Sequence, residues 1–125
     1  MGIKLMDKVK AYTAFWNGFG LHAYDETSVP DSAVMPYITF EMMEDEFDNS
    51  LALTASIWYR STSWTESVVK ANEIRDAIGK GGKIVPYDGG AFWIKKGRPW
   101  AQHMSEDNDD SVRRTVLNIE VEFID

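Results

Sequence analysis

The stretch Val112-Arg113-Arg114-Thr115-Val116-Leu117-Asn118-Ile119-Glu120-Val121-Glu122-Phe123-Ile124 sets Leu117, Ile119, Val121 and Phe123 against Asn118, Glu120 and Glu122. A repeat of two places alternate side chains on opposite faces of an extended chain. The segment therefore predicts a long amphipathic strand that closes an antiparallel sheet. Working back from it, Ile38, Phe40 and Met42 share one face of Tyr37 to Met43. In the next alternation Leu51, Leu53, Ala55, Ile57 and Tyr59 oppose Ala52, Thr54, Ser56 and Trp58. These two runs predict a hairpin around the acidic loop Glu44-Asp45-Glu46-Phe47-Asp48-Asn49. A second hairpin is predicted from Ile84-Val85-Pro86-Tyr87, the turn Asp88-Gly89-Gly90 and Ala91-Phe92-Trp93-Ile94-Lys95, with Pro86 confining its strand to an edge. Gly97 to Asp110, polar and broken by Pro99, reads as a solvated loop.

Two segments carry the helical period instead. Leu5, Val9, Tyr12 and Trp16 fall at i, i+4, i+7 and i+11, which predicts a helix over Ile3 to Trp16 ending at Asn17-Gly18. A short strand from Leu21 to Tyr24 and a long connection from Asp25 to Pro36 follow. Ser63-Trp64-Thr65-Glu66 fits a capping box that opens a second helix. Its buried stripe is expected to be Trp64, Val68, Ala71, Ile74 and Ile78, with Gly79-Lys80-Gly81-Gly82 as the stop. The sum is α+β: a mostly antiparallel sheet with two main helices packed on one face.

At 125 residues the chain predicts one domain, spanning residues 1 to 125. With 44% hydrophobic residues it can bury a core. Its net charge of −7 argues against affinity gained by neutralising phosphates. The absence of cysteine removes disulfides, thiol nucleophiles and sulfur-rich zinc sites. Lys4, Asp7, Lys8 and Lys10 interrupt the amino terminus, so no signal-peptide core is expected, and no run approaches the ~20 apolar residues of a membrane span. A soluble intracellular domain with no membrane partner is expected.

Signals of catalysis are absent. The two histidines, His22 and His103, have no second ligand at helical spacing and read as structural or surface imidazoles. No Gly-x-Ser-x-Gly elbow occurs. Gly79-Lys80-Gly81-Gly82-Lys83 lacks the P-loop pattern and follows a helix, so it reads as a helix stop. The run Glu106-Asp107-Asn108-Asp109-Asp110 lacks the glycine and closing glutamate of a calcium loop. General acid work needs a carboxylate tuned by burial, and those at 44 to 46 are expected in a charge-dense, wet loop. No catalytic, cofactor-binding or metal-ligating residue is assigned, and no cofactor is expected. Among the five tryptophans, Trp58 and Trp93 lie on the strand faces opposite the core. Either a helix or a neighbouring subunit is expected to cover them, which makes both candidate subunit-interface aromatics. These features describe an acidic α+β domain with an interaction or structural role.

The order of features carries a resemblance. An amino-terminal helix is followed by a proline-containing loop, Met35-Pro36-Tyr37-Ile38-Thr39-Phe40 and an acidic loop. Leu51, Leu53 and Ser56-Ile57-Trp58 come next, then Ser61-Thr62-Ser63-Trp64 with Glu66 at a helix start, and a long final strand. Over nearly its whole length the chain resembles the tail terminator (tail completion, minor tail) proteins of long-tailed bacteriophages. The resemblance implies a non-enzymatic virion protein assembled in the host cytoplasm. It implies a homo-oligomeric, hexameric ring that caps the head-proximal end of the tail, stops the tail tube protein from polymerising and joins a head-completion protein. DNA would pass through such a ring without specific binding. Acidic loops in the bore would repel phosphates, so Glu44, Asp45, Glu46 and Asp48, or Glu106, Asp107, Asp109 and Asp110, are candidate bore or partner-facing groups. The nearest rival is a head-closure or connector protein of the same virion. More distant rivals are a ligand-binding or enzymatic domain with a pocket around His22 or His103, and an acidic inhibitor that mimics nucleic acid.

Overall fold

A computed structural model describes residues 7–42, 51–105 and 109–124. Six strands, β1 (His22–Asp25), β2 (Tyr37–Phe40), β3 (Leu51–Arg60), β4 (Lys83–Tyr87), β5 (Gly90–Ser105) and β6 (Val112–Ile124), form one sheet in the order β1-β2-β3-β6-β5-β4. Only β1 and β2 run parallel; every other neighbouring pair is antiparallel. Helices α1 (Lys8–Trp16) and α2 (Thr65–Ile78) pack on one face, so the α+β class is as the periodicities predict. No helix among the described residues is long and apolar enough to cross a membrane.

In α1, Asp7 caps the first turn by accepting from Lys10 N at 2.9 Å. Tyr12 and Trp16 are fully buried, but Val9 is half exposed and Ala11 takes its place in the core. Leu5 lies outside the described residues. The helix does not end in a left-handed Asn17-Gly18. It tightens into a 3-10 turn over Asn17–Phe19, and Gly20 is the left-handed residue, with φ 80°. Asn17 is committed elsewhere: its amide donates to Thr13 O at 3.0 Å while its Oδ1 accepts from Ala23 N at 3.0 Å, which ties the helix end to β1.

The opening of α2 also departs from expectation. Ser63 Oγ accepts from Thr65 N at 3.1 Å, and Ser63 N donates to Ser61 Oγ, so a chain of serine turns replaces the capping box. The buried stripe is Ser67, Ala71, Ile74 and Ile78; Val68 is exposed and Trp64 half-buried. Both stripes share Ala71, Ile74 and Ile78, and the buried face runs through Ser67 rather than Val68. The Ser67 hydroxyl satisfies itself on Trp64 O at 3.0 Å. Gly79 and Gly82, with φ of 80° and 88°, end the helix as predicted.

Two expectations about the sheet are corrected. First, Gly97 to Ser105 is strand rather than loop: β5 continues to Ser105, and Ala101 to Ser105 pair with Arg113 to Leu117. The register slips between Lys96 and Ala101, where Pro99 has no N–H for the ladder. Asn118 Nδ2 bridges the gap by donating to Pro99 O at 2.8 Å. Gly97 approaches β6 so closely that an added Cβ would meet Asn118 backbone at 3.0 Å. Polarity hides a strand that is held by its neighbour. Second, β6 does not close the sheet but lies at its centre between β3 and β5, which is why Thr115, Leu117, Ile119 and Val121 are buried on one face and Val116 on the other. The β4–β5 hairpin with its Gly89 turn (φ 94°) and edge Pro86 stands as predicted.

The core centres on Tyr12. Its ring meets Trp16, Phe40 and Phe92 edge-on at centroid distances of 6.3, 5.7 and 5.6 Å. Fully burying a side chain such as Phe40 or Phe92 stabilises the fold by about 1.5–3 kcal/mol. Ile74 and Ile78 of α2 join the same cluster over Leu117, Ile119 and Ile94.

Candidate interaction surfaces

The period of two that buries Ile38, Phe40, Ile57 and Leu117 under the helices sends their neighbours to the opposite face, which no described helix covers. There the register aligns Tyr37, Trp58 and Arg114 across β2, β3 and β6. Rings continue the row onto β1: His22 lies 6.3 Å from Tyr24, Tyr24 5.8 Å from Tyr37, and Tyr37 6.4 Å from Trp58. Arg114 caps the row with its guanidinium 4.8 Å from the Trp58 centroid while donating to Ser56 Oγ at 3.1 Å. The Trp58 indole donates to Thr39 Oγ1 at 2.9 Å. These flat side chains bury Thr39, Ser56 and Val116 beneath them, with no second layer of secondary structure among the described residues. The connection after β1 bends over the same face. Glu26, Thr27 and Val29 from it complete a cavity of about 400 Å³ with Tyr37, Thr39, Trp58 and Arg114.

Trp58 thus stands half-buried on the uncovered face, its polar atom satisfied within the chain and its ring partly covered by Arg114. Trp93 acts locally. Its indole donates to Gly81 O at 3.0 Å, with Lys95 Nζ 4.3 Å from its ring centre. It pins the glycine turn after α2 against β5.

The acidic candidates separate. Glu44, Asp45, Glu46 and Asp48 lie outside the described residues, as do Glu106 and Asp107. The strand ends flanking the two runs are at opposite ends of the sheet, since Leu51 pairs with Val121 whereas Ser105 pairs with Arg113. Asp109 is a turn anchor. It accepts from Ser111 through both the hydroxyl and the amide and meets Arg60 Nη1 at 3.4 Å, and the Ser111 hydroxyl foremost holds its carboxyl below the ordinary range. Asp110 is exposed.

The histidines are kept apart. His22 ends the aromatic row, while His103 Nδ1 shares a hydrogen bond with Thr115 Oγ1 at 2.9 Å and its ring lies 4.7 Å from Trp64. Neither lines the cavity on the aromatic face or the basic cavity at the end of α2. Among the described residues no cluster of His, Asp and Glu is placed to hold a metal ion.

That basic cavity, of about 530 Å³, lies where the end of α2 meets the irregular part of β5. Arg75, Lys80, Lys95, Lys96 and Arg98 line it with Gly81, Gly97, Trp100 and a single carboxylate, Glu120. The sequence alone does not reveal it. Its local signals are Lys95-Lys96-Gly97-Arg98 and the Lys80-Gly81 of the stretch read above as a helix stop, and Arg75 joins them through the helix–strand approach.

The fold is similar to that of a chain in a solved structure described as the virion of a native gene transfer agent particle. The TM-score is 0.62 at 16% sequence identity, over 95% of this chain and 87% of that one. No protein-family model matches the sequence, and no curated protein matches it.

Proposed function

We propose that the chain is a non-enzymatic structural subunit of a phage-type virion, and within it a tail terminator. In this reading copies assemble into a ring, a hexamer by the resemblance, that caps the head-proximal end of the tail tube. The ring ends tube polymerisation and offers its outer surface to a head-completion protein, while DNA passes through the middle. The observation that carries the reading is a likeness of fold over nearly the full length to a chain of a gene transfer agent virion. Two features of the surface support it. The face bearing Tyr24, Tyr37, Trp58 and Arg114 is aromatic and carries no described helix, the composition that subunit seams favour. The chain is strongly acidic, at −7, which suits a conduit that DNA must leave without sticking. Glu44, Asp45, Glu46 and Asp48 belong to one candidate bore or partner-facing run, and Glu106, Asp107 and Asp110 to the other. Asp109 serves its own turn.

The test is location and action together. A tagged copy, labelled with gold in purified particles, is expected at the junction of head and tail. The purified chain added to polymerising tube protein is expected to shorten the tubes. Gold on the head shell or the distal tail tip, with tubes of unchanged length, would refute the assignment.

A further inference from the structure

The cavity at the end of α2 concentrates five of the chain's 13 cations in a molecule whose net charge is −7. Three of them, Lys80, Lys96 and Arg98, make no side-chain hydrogen bond or ion pair with any described residue. Lys95 has Glu120 at 3.9 Å and the Trp93 ring at 4.3 Å, and Arg75 has its neighbour Asp76 at 3.1 Å; both ion pairs are at least partly exposed and of little worth. Like charges held this close raise one another's energy, and an anionic group entering the cavity would relieve that repulsion. The nature of the anion follows from shape and charge. A nucleic-acid duplex is gripped by an extended basic stripe, whereas this is a single half-open cavity of about 530 Å³ on a chain of net charge −7. Several carboxylates on one short segment match it better.

Such a segment is carried by the chain itself. The run Glu106-Asp107-Asn108-Asp109-Asp110 joins β5 to β6, and Lys95 and Glu120 of the cavity lie on the same two strands. From Asp110 to Glu120 the strand rises roughly 30 Å, so the acidic end cannot fold back into its own cavity. It can enter the cavity of a second copy. We infer that the cavity lined by Lys80, Lys95, Lys96 and Arg98 receives the acidic β5–β6 hairpin end of an adjacent copy. This is a head-to-tail contact of the heterologous kind, which builds a ring when the rotation from copy to copy closes. It rests on the ring reading above and names one polar contact across the ring's seam, beside the aromatic face. Asp109 stays with Ser111 and Arg60, leaving Asp110 as the described carboxylate that is free to cross.

The experiment is sedimentation velocity on the full chain and on two charge-reversed chains, Lys96→Glu with Arg98→Glu, and Glu106→Lys with Asp107→Lys and Asp110→Lys. Circular dichroism confirms that each is folded. Wild type is expected to form an oligomer that salt dissociates, and each reversed chain to assemble more weakly by about tenfold or more. A chain carrying both reversals is expected to regain the oligomer. A wild-type oligomer that Lys96→Glu with Arg98→Glu leaves intact would overturn the contact while leaving the ring reading in place. A wild type that remains monomeric at every concentration, with or without tube protein, would overturn both. If the cavity variant still assembles but loses binding to a short DNA duplex, measured by fluorescence anisotropy, the cavity is a phosphate site and the inference is wrong.

Discussion

Replacing Tyr12 by Phe is expected to make the protein more stable. The Tyr12 hydroxyl and the Trp16 indole nitrogen are both fully buried, and neither has a hydrogen-bond partner of good geometry. A buried polar group left unmatched costs about 1–3 kcal/mol. Phenylalanine keeps the edge-on contacts with Trp16, Phe40 and Phe92 and loses only the few oxygen contacts, each worth ~0.1–0.2 kcal/mol. The net gain is about 1 kcal/mol, or roughly 3–5 °C in Tm for a domain of this size, read by thermal unfolding at neutral pH. A second signature lies at alkaline pH. Burial foremost pushes the Tyr12 phenol far above its ordinary 10.0, and this outweighs the lowering effect of the nearby Trp16 indole. Above pH ~10 the unfolded chain therefore releases this proton while the folded chain keeps it. Wild type then loses about 1.4 kcal/mol per pH unit that Tyr12→Phe does not lose. A Tyr12→Phe chain that melts several degrees lower would show that the hydroxyl and indole form a bond worth keeping. Parallel stability losses of the two chains above pH ~10 would refute the burial argument.

Gly82→Ala should destabilise by about 1–3 kcal/mol in urea unfolding, because φ is 88° and the added Cβ would collide with Trp93 Nε1 and the Ile94 carbonyl. An unchanged midpoint would mean that the turn after α2 is looser than described. Thr39→Val removes the acceptor of the Trp58 indole and should cost about 1 kcal/mol with a shift in tryptophan fluorescence. Asp109→Asn should flatten the acid limb of the stability profile. The Asp109 carboxyl is held below its ordinary 3.8, so its contribution is present above that value and lost as pH falls through the folded pKa. Faster amide exchange at Ser111 in the variant would report the same loss locally, and unchanged exchange would refute it.

The parts of the fold that are legible in sequence are those where one local period coincides with burial. The strand from Val112 to Ile124 and the hairpin turning at Gly89 are readable because each has a clean alternation or a turn with an obligatory glycine. The continuation of β5 is not, because Arg98, Pro99, Gln102 and His103 carry no apolar rhythm. Their strand is held by pairing with β6 and by Asn118, partners distant in sequence. Val68 and Ser67 show the same limit on a helix: which of two adjacent residues faces the sheet is set by how the helix is seated on it, which no single residue reports. Trp58 is recognisable as lying opposite the core. That Arg114 lies over it, and that β1 extends the row through Tyr24, depends on sheet order. The basic cavity is invisible in sequence because Arg75, Lys80 and Lys95 to Arg98 come from two elements that a sequence reading keeps apart.

The central claim, that this chain ends the tail tube and joins it to the head, is met most directly by electron microscopy of particles assembled without it. The account predicts abnormally long, unjoined tubes beside DNA-filled heads. Tails of normal length beside heads that leak DNA would contradict it in favour of head closure, and particles unchanged in form and infectivity would contradict a virion role altogether.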